Sequence, residues 1–297
     1  RIEKEQLVTS SLRVPPGIIE KGKLLDRGIL IAALLKVRSG LPGDRKNQAI
    51  QVVVSLPPSI VFTQSFSLPR IAASKLEEAA ELNLQMISPL ESNVSYSDWQ
   101  VLQAGENKLD ILGAFTEKSP VDDFNLALRS AGYLPAAFEF PALSLTRVAR
   151  NLSPLSNFPA AFIVVSISGE GLDTFIVRSG ALYFSYFRSW ESIQAMSSKN
   201  REIKLEELKD IINLETSRVI NFASSRFNES PLGVVLITPG LEADLANFIQ
   251  NDLKLKVFSF RLQRYGSLSP IWYTALGAAL RGLIVREKDT LISLYGV

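Results

Sequence analysis

The order of elements in the second half of the chain constrains its fold more than any other feature. From Ala161 the chain reads as three short strands, at Ala161 to Ser166, Asp173 to Arg178 and Leu182 to Phe187. The turns Ser168-Gly-Glu-Gly171 and Ser179-Gly180 join them. A long helix is predicted from Leu205 to Phe227, then a strand at Val234 to Ile237 and a helix at Leu241 to Leu253. A strand at Leu255 to Phe260 and a small-residue helix at Thr274 to Leu283 follow. Tightly turned strands followed by helix–strand alternation predict an α/β sheet with helices on both faces.

The first half is less regular. A helical run from Ile29 to Val37 stops at Ser39-Gly40, and the apolar run 49–56 stops at Pro57-Pro58 and predicts a buried strand. A strand at Val61 to Leu68 leads through Leu68-Pro69 into a helix with Leu76, Ala80 and Ile87 on its inner face. Two strands, at Val94 to Gln103 and Leu109 to Phe115, are joined by the turn at Gly105 to Asn107. Ser119 as N-cap, Pro120 at the first helical position and Asp122 and Asp123 in the first turn predict the next helix, which Gly132 ends. A strand at Leu134 to Phe140 and a helix at Pro141 to Arg150 close this half. The Ser-, Pro- and Asn-rich stretch 151–159 reads as the domain boundary. With 297 residues, 46% of them hydrophobic, two domains of about 150 residues fit the length.

Composition excludes much chemistry. The chain has no histidine and no cysteine. That removes Ser-His-Asp and Cys-His hydrolysis, thiolate zinc sites and disulfides. Thirty-two basic and 30 acidic residues give a net charge of +2, with no basic concentration suited to nucleic acid. The mixed charged run from Lys199 to Lys209 reads as a solvated face. No apolar stretch reaches the ~20 residues of a membrane span. The paired acids Glu77-Glu78 and Asp122-Asp123 read as solvated helix starts. The aromatic cluster Tyr183, Phe184, Tyr186, Phe187 and Trp190 places one set in the core, with a partner surface as the alternative for the other.

Six segments in order resemble the PilM-like type IV pilus assembly family of the actin-like ATPase superfamily. They are Val14 to Gly22, Leu68 to Val101, Pro141 to Arg147, Phe162 to Ser185, Leu214 to Phe222 and Ala275 to Gly282. The resemblance implies a two-domain actin-like (ribonuclease H-like) α/β fold with an inserted α+β subdomain. On it, 1–56 and 133–150 form a first subdomain that is incomplete at its front, 57–132 the insertion, 151–288 the second domain and 289–297 an apolar tail. The family's first phosphate loop is expected to precede Arg1.

The resemblance also marks a nucleotide cleft, at Ser166, Ser168, Gly169, Glu170, Gly171, Asp173, Thr174, Thr238 and Gly240. Where the family carries Asp-Ile-Gly, this chain has Ser166-Ile167-Ser168. A neutral hydroxyl does not replace a carboxylate in organising a hard cation. Pro239 lies in the matching adenosine turn, where it removes an N–H. The cleft is therefore expected to be degenerate, with no catalytic residue, no metal ligand and no cofactor. Residual binding of ATP and Mg²⁺ is the alternative, through the backbone N–H groups of Gly169 and Gly171.

In the tail, Leu291, Ile292 and Leu294 resemble the short cytoplasmic peptide of PilN, the family's membrane partner. This implies a fusion that continues into a membrane helix after Val297. The expected role is a cytoplasmic scaffold peripheral to the bacterial inner membrane, linking PilN-like and PilO-like proteins to a motor ATPase, with a dimer as a further expectation. The alternatives are a functional ATP-binding protein similar to PilM or FtsA, and the cytoplasmic domain of a GspL-like type II secretion protein.

Overall fold

The computed structural model describes residues 2–3, 6–41, 48–71, 73–152, 155, 160–196, 203–228, 230–260, 262, 265, 268–282 and 291–295. Most of the expected linker 151–159, the start of the charged run at Lys199 and both ends of the tail, 289–290 and 296–297, lie outside the described residues. The chain divides into two compact units, Arg1–Phe140 with Ala278–Val297, and Pro141–Gly277.

The first unit begins with two short ladders, β1 (Ile2–Glu3) with β2 (Gln6–Leu7), and β3 (Ile19–Glu20) with β4 (Lys23–Leu24). Helix α1 (Arg27–Ser39) is capped by Asp26, whose carboxylate accepts the Ile29 N–H. Strand β5 (Ile50–Ser55) pairs in parallel with β9 (Tyr133–Glu139). Between them lie β6 (Val61–Pro69), α2 (Ala73–Ile87), β7 (Ser95–Ala104), β8 (Lys108–Glu117) and α3 (Lys118–Ser130). The three strands form an antiparallel sheet in the order β6-β8-β7. Leu76, Ala80 and Leu84 of α2 pack on it against Trp99, Ile111 and Phe115.

Two local expectations change here. Helix α3 starts at Lys118 with Glu117 at the cap position and no side-chain cap bond, so Ser119 is not the N-cap. Strand β8 runs directly into the helix and leaves no loop for a cap residue. Asp122 and Asp123 are not merely solvated: Asp122 accepts the Tyr96 hydroxyl at 2.9 Å and Asp123 pairs with Arg27. Strand β5 is half-buried rather than covered on both faces.

The second unit opens with α4 (Pro141–Leu152). Its sheet has the order β12-β11-β10-β13-β14. Strands β10 (Phe162–Ile167), β11 (Gly171–Arg178) and β12 (Ala181–Ser189) form an antiparallel meander, and β13 (Val234–Ile237) and β14 (Val257–Phe258) add in parallel. Phe162 to Val165, Phe175 and Ile176 are fully buried, as a strand covered on both faces requires. Ser179 and Gly180 turn the meander with positive φ at both positions, the geometry that a two-residue hairpin favours. The remaining elements are α5 (Trp190–Met196), α6 (Leu205–Phe227), α7 (Glu242–Asn251) and α8 (Tyr273–Arg281).

The division between the units falls before Pro141 rather than within 151–159. Residues 142–149 of α4 are all buried, and α4 packs against β11 and β12. It therefore belongs to the second sheet's cover. A Ser/Pro-rich composition marks a loop and does not report which side a preceding helix packs on.

Candidate functional site

Two places collect the residues singled out in the sequence, one in each unit. In the second unit, Ser166 lies at the end of β10 directly opposite Asp173 of β11. Opposed residues of an antiparallel pair share a face. The turn that follows is closed on itself. The Ser168 N–H donates to the Gly171 carbonyl at 3.0 Å, and the Glu170 N–H donates to Ser168 Oγ at 3.2 Å. The Trp190 indole N–H donates to the Ser168 carbonyl. Gly171 is required sterically, because a Cβ there would meet the Arg188 carbonyl oxygen at 2.1 Å.

Asp173 is buried. One carboxylate oxygen accepts the Ser185 hydroxyl at 3.2 Å, and the other has no partner among the described residues. Burial pushes its carboxyl up to about 7, with the Ser185 hydroxyl opposing the shift. The hydroxyls of Thr174 and Thr238 are also buried without a partner among the described residues. Strand alternation puts Thr174 on the other sheet face from Asp173. After β13, Gly240 adopts φ of +83°, and its N–H donates to the Glu242 carboxylate at 2.9 Å.

The aromatic cluster on β12 is used within the unit. Tyr183 is buried, Phe184 stacks on Phe222 of α6, and Tyr186 lies beneath the guanidinium groups of Arg188 and Arg218. Arg188 also holds the buried Glu215 of α6 at 2.7 Å.

The second place is in the first unit, where residues 291–295 lie in a groove. Ile292 and Leu294 are completely buried. The Leu294 N–H donates to the Phe138 carbonyl of β9 at 2.8 Å, and the Phe138 N–H donates to Ser293 Oγ. The Ser293 N–H donates to Asp98 Oδ2 of β7 at 2.7 Å. The other oxygen of Asp98 is fixed by the Trp99 N–H. Arg281, the last residue of α8, donates from one nitrogen to both the Ile292 carbonyl and Glu139 Oε2. Glu139 and Arg281 are both buried.

Tyr295 completes the contact. Its ring packs against Tyr96 and Phe138 with centroids at 5.4 Å from each. Asn125 of α3 donates its amide to the Tyr295 hydroxyl at 2.9 Å. Arg129 donates to the oxygen of the same amide, which fixes its orientation. Burial, then the Asp122 bond, pushes the Tyr96 hydroxyl up to about 12.

Of the three tail residues singled out in the sequence, Ile292 and Leu294 are buried and Leu291 is half-buried. The groove residues Tyr96, Asp98, Asn125, Glu139 and Arg281 were not singled out as a set in the sequence. One signal existed. Glu139 stands between Phe138 and Phe140, and Arg281 follows Ala279-Leu280 in a small-residue helix. Opposite charges in such apolar surroundings mark a buried pair.

The fold is that of the actin-like ATPases. The chain is similar to PilM in a solved PilM–PilN type IV pilus biogenesis complex, with a TM-score of 0.70, 18% identity and coverage of 91% of this chain and 90% of that one. It is also similar, at a TM-score of 0.46 and 12% identity, to the cytoplasmic domain of EpsL, an inner membrane component of the type II secretion system of Vibrio cholerae, covering 84% of this chain and 80% of that one. A Bacteroides thetaiotaomicron protein with an actin-like ATPase fold and unknown function matches at a TM-score of 0.36 and 9% identity, over 77% and 76% of the two chains. No family model matches the chain, and no curated protein matches it in sequence. Among the described residues no helix is long and apolar enough to cross a membrane.

Proposed function

We propose that this chain is a scaffold of a type IV pilus or related secretion assembly platform, docking membrane partners through an extended peptide and not hydrolysing ATP. The observation that carries the reading is the seating of residues 291–295 in the groove of the first unit. It is supported by the fold shared with PilM of the PilM–PilN complex. The partners proposed are a PilN-like membrane protein or its fused equivalent, a PilO-like protein and a motor ATPase, at the cytoplasmic face of the inner membrane.

The donor set of the second unit does not suit a Mg²⁺-nucleotide. Ser166 supplies a hydroxyl where a hard cation wants a carboxylate. Asp173 is enclosed and its burial favours the neutral acid. The Ser168, Glu170 and Gly240 N–H groups are already given to protein oxygens. Glu170 would set a carboxylate beside any phosphate. No catalytic step is assigned.

The test is genetic. Deleting the gene in its host should abolish surface pili or pseudopilus-dependent secretion. A copy with Ile292→Asp and Leu294→Asp should fail to restore it, and a copy with Asp173→Asn should succeed. A deletion strain with piliation and secretion intact would overturn the proposal.

A further inference from the structure

The end of the β10–β11 hairpin encloses an acid without pairing it. Asp173 is buried on β11 directly opposite Ser166. Ser185 donates to one of its carboxylate oxygens, and the other has no partner among the described residues. The charged groups of the elements around it are engaged elsewhere. Arg188 stands opposite Leu172, so strand alternation puts it on the other face of the sheet, where it and Arg218 pair with Glu215 of α6. Arg147 of α4 donates to the Gly277 carbonyl, and Arg150 lies against Gly180 at the opposite end of the hairpin. Arg178, at that same end, lies over the Tyr183 ring. Glu191 of α5 is exposed. The acid of the adjoining turn is Glu170, whose own carboxyl is raised by burial. Burial dominates at Asp173, against the opposing Ser185 bond, and lifts its carboxyl to about 7.

Beside Asp173 the turn 168–171 reaches the surface, with residues 168–170 exposed. The Ser168 N–H closes it on the Gly171 carbonyl. Trp190, the first residue of α5, pins it twice. Its backbone N–H donates to the Glu170 carbonyl at 3.1 Å, and its indole N–H donates to the Ser168 carbonyl at 3.0 Å.

We propose that Asp173 is a proton-operated lock on this turn: the protonated acid keeps the turn clamped to Trp190, and loss of the proton releases it. An enclosed carboxylate with a single donor is costly and draws water to its bare oxygen. The fold yields where least is lost. Strands β10 and β11 carry fully buried apolar side chains, whereas residues 168–170 leave little apolar surface uncovered when they move. The lock is a property of the second unit and is independent of the scaffold reading.

The experiment is a pH titration of the full chain followed by the indole cross-peak of Trp190 in a proton–nitrogen correlation spectrum. Trp190 is one of three tryptophans, and Trp190→Phe assigns its peak. The wild-type peak is expected to shift with a midpoint at about 7. Asp173→Asn should abolish the transition, and Glu170→Gln should keep it. Ser185→Ala retains the acid and removes a donor that favours its anion, so the midpoint should move upward. A flat wild-type titration between about pH 5 and 9 would overturn the proposal. So would a transition that survives Asp173→Asn or is lost in Glu170→Gln. Loss of far-ultraviolet circular dichroism at the same midpoint would show general unfolding in place of a local release and would also overturn it. If Asp173→Asn fails to fold, Ser185→Ala decides, and an unchanged midpoint there rejects the lock. A deletion strain that keeps its pili and secretion would reject the scaffold role and leave the lock untouched.

Discussion

Asp173 is a group that folding makes harder to ionise. Its carboxyl is lifted by burial from the ordinary 3.8 to about 7. The unfolded chain therefore loses this proton near pH 4, and the folded chain keeps it until about pH 7. The stabilisation is fully present below pH 4 and is lost as pH rises through 7, by roughly 4 kcal/mol at the upper bound. Asp173→Asn keeps the shape and an acceptor for Ser185 and removes the charge. Urea midpoints of the wild type should fall between pH 4.5 and 7.5 more steeply than those of the variant. Parallel profiles would contradict this account. The Glu139–Arg281 pair makes a second prediction. Arg281→Met removes the cation paired with a fully buried carboxylate and should cost about 3–5 kcal/mol in urea unfolding, with Glu139→Gln added recovering most of it. A loss below about 1 kcal/mol would show that the pair is not buried in solution. Ile292 and Leu294 were singled out through the resemblance of residues 291–294 to the PilN peptide. Their partners were not, because Glu139 and Arg281 meet across 142 positions of sequence.

Among the elements, those with strong periodicity and clear ends were read best. Helix α6 has the predicted bounds, since a long amphipathic run carries its own signal. The meander β10–β12 was legible from its glycine turns. Strand β14 is two residues rather than six and pairs with β13 only at Val234 and Val235. Caps and allegiance were harder. The start of α3 was misplaced because a strand runs into it, and α4 was assigned to the wrong side of a boundary because packing direction leaves no local mark. The α4–α8 contact tests the packing. A Cβ on Gly277 would stand 2.1 Å from the Ser144 carbonyl oxygen, and Arg147 of α4 donates to the Gly277 carbonyl at 2.6 Å. Helix propensity alone predicts that Gly277→Ala stabilises by about 1 kcal/mol. The close backbone approach predicts the opposite, a loss of about 1–3 kcal/mol. A raised melting temperature for this variant would show that the two helices are less tightly apposed.

For the molecule as a whole, the actin-like fold was readable from the order of elements, but the use to which it is put was not. The same architecture serves enzymes and platforms, and function resides in particular sites. Here the Ser168 and Glu170 amides of the second unit's glycine turn are bonded within the turn, whereas the first unit's groove is filled. The account predicts that titration calorimetry of ATP with Mg²⁺ shows no binding at millimolar nucleotide, and a micromolar affinity would mean that the hydroxyls at Ser166 and Ser168 suffice. The central claim, that residues 291–295 are seated in the first unit, is tested most directly by hydrogen exchange on the intact protein. The Ser293 and Leu294 amides, bonded to Asp98 and Phe138, should be protected to a degree comparable with the β9 amides they lie beside. Exchange of both at the rate of an unstructured peptide would contradict the account.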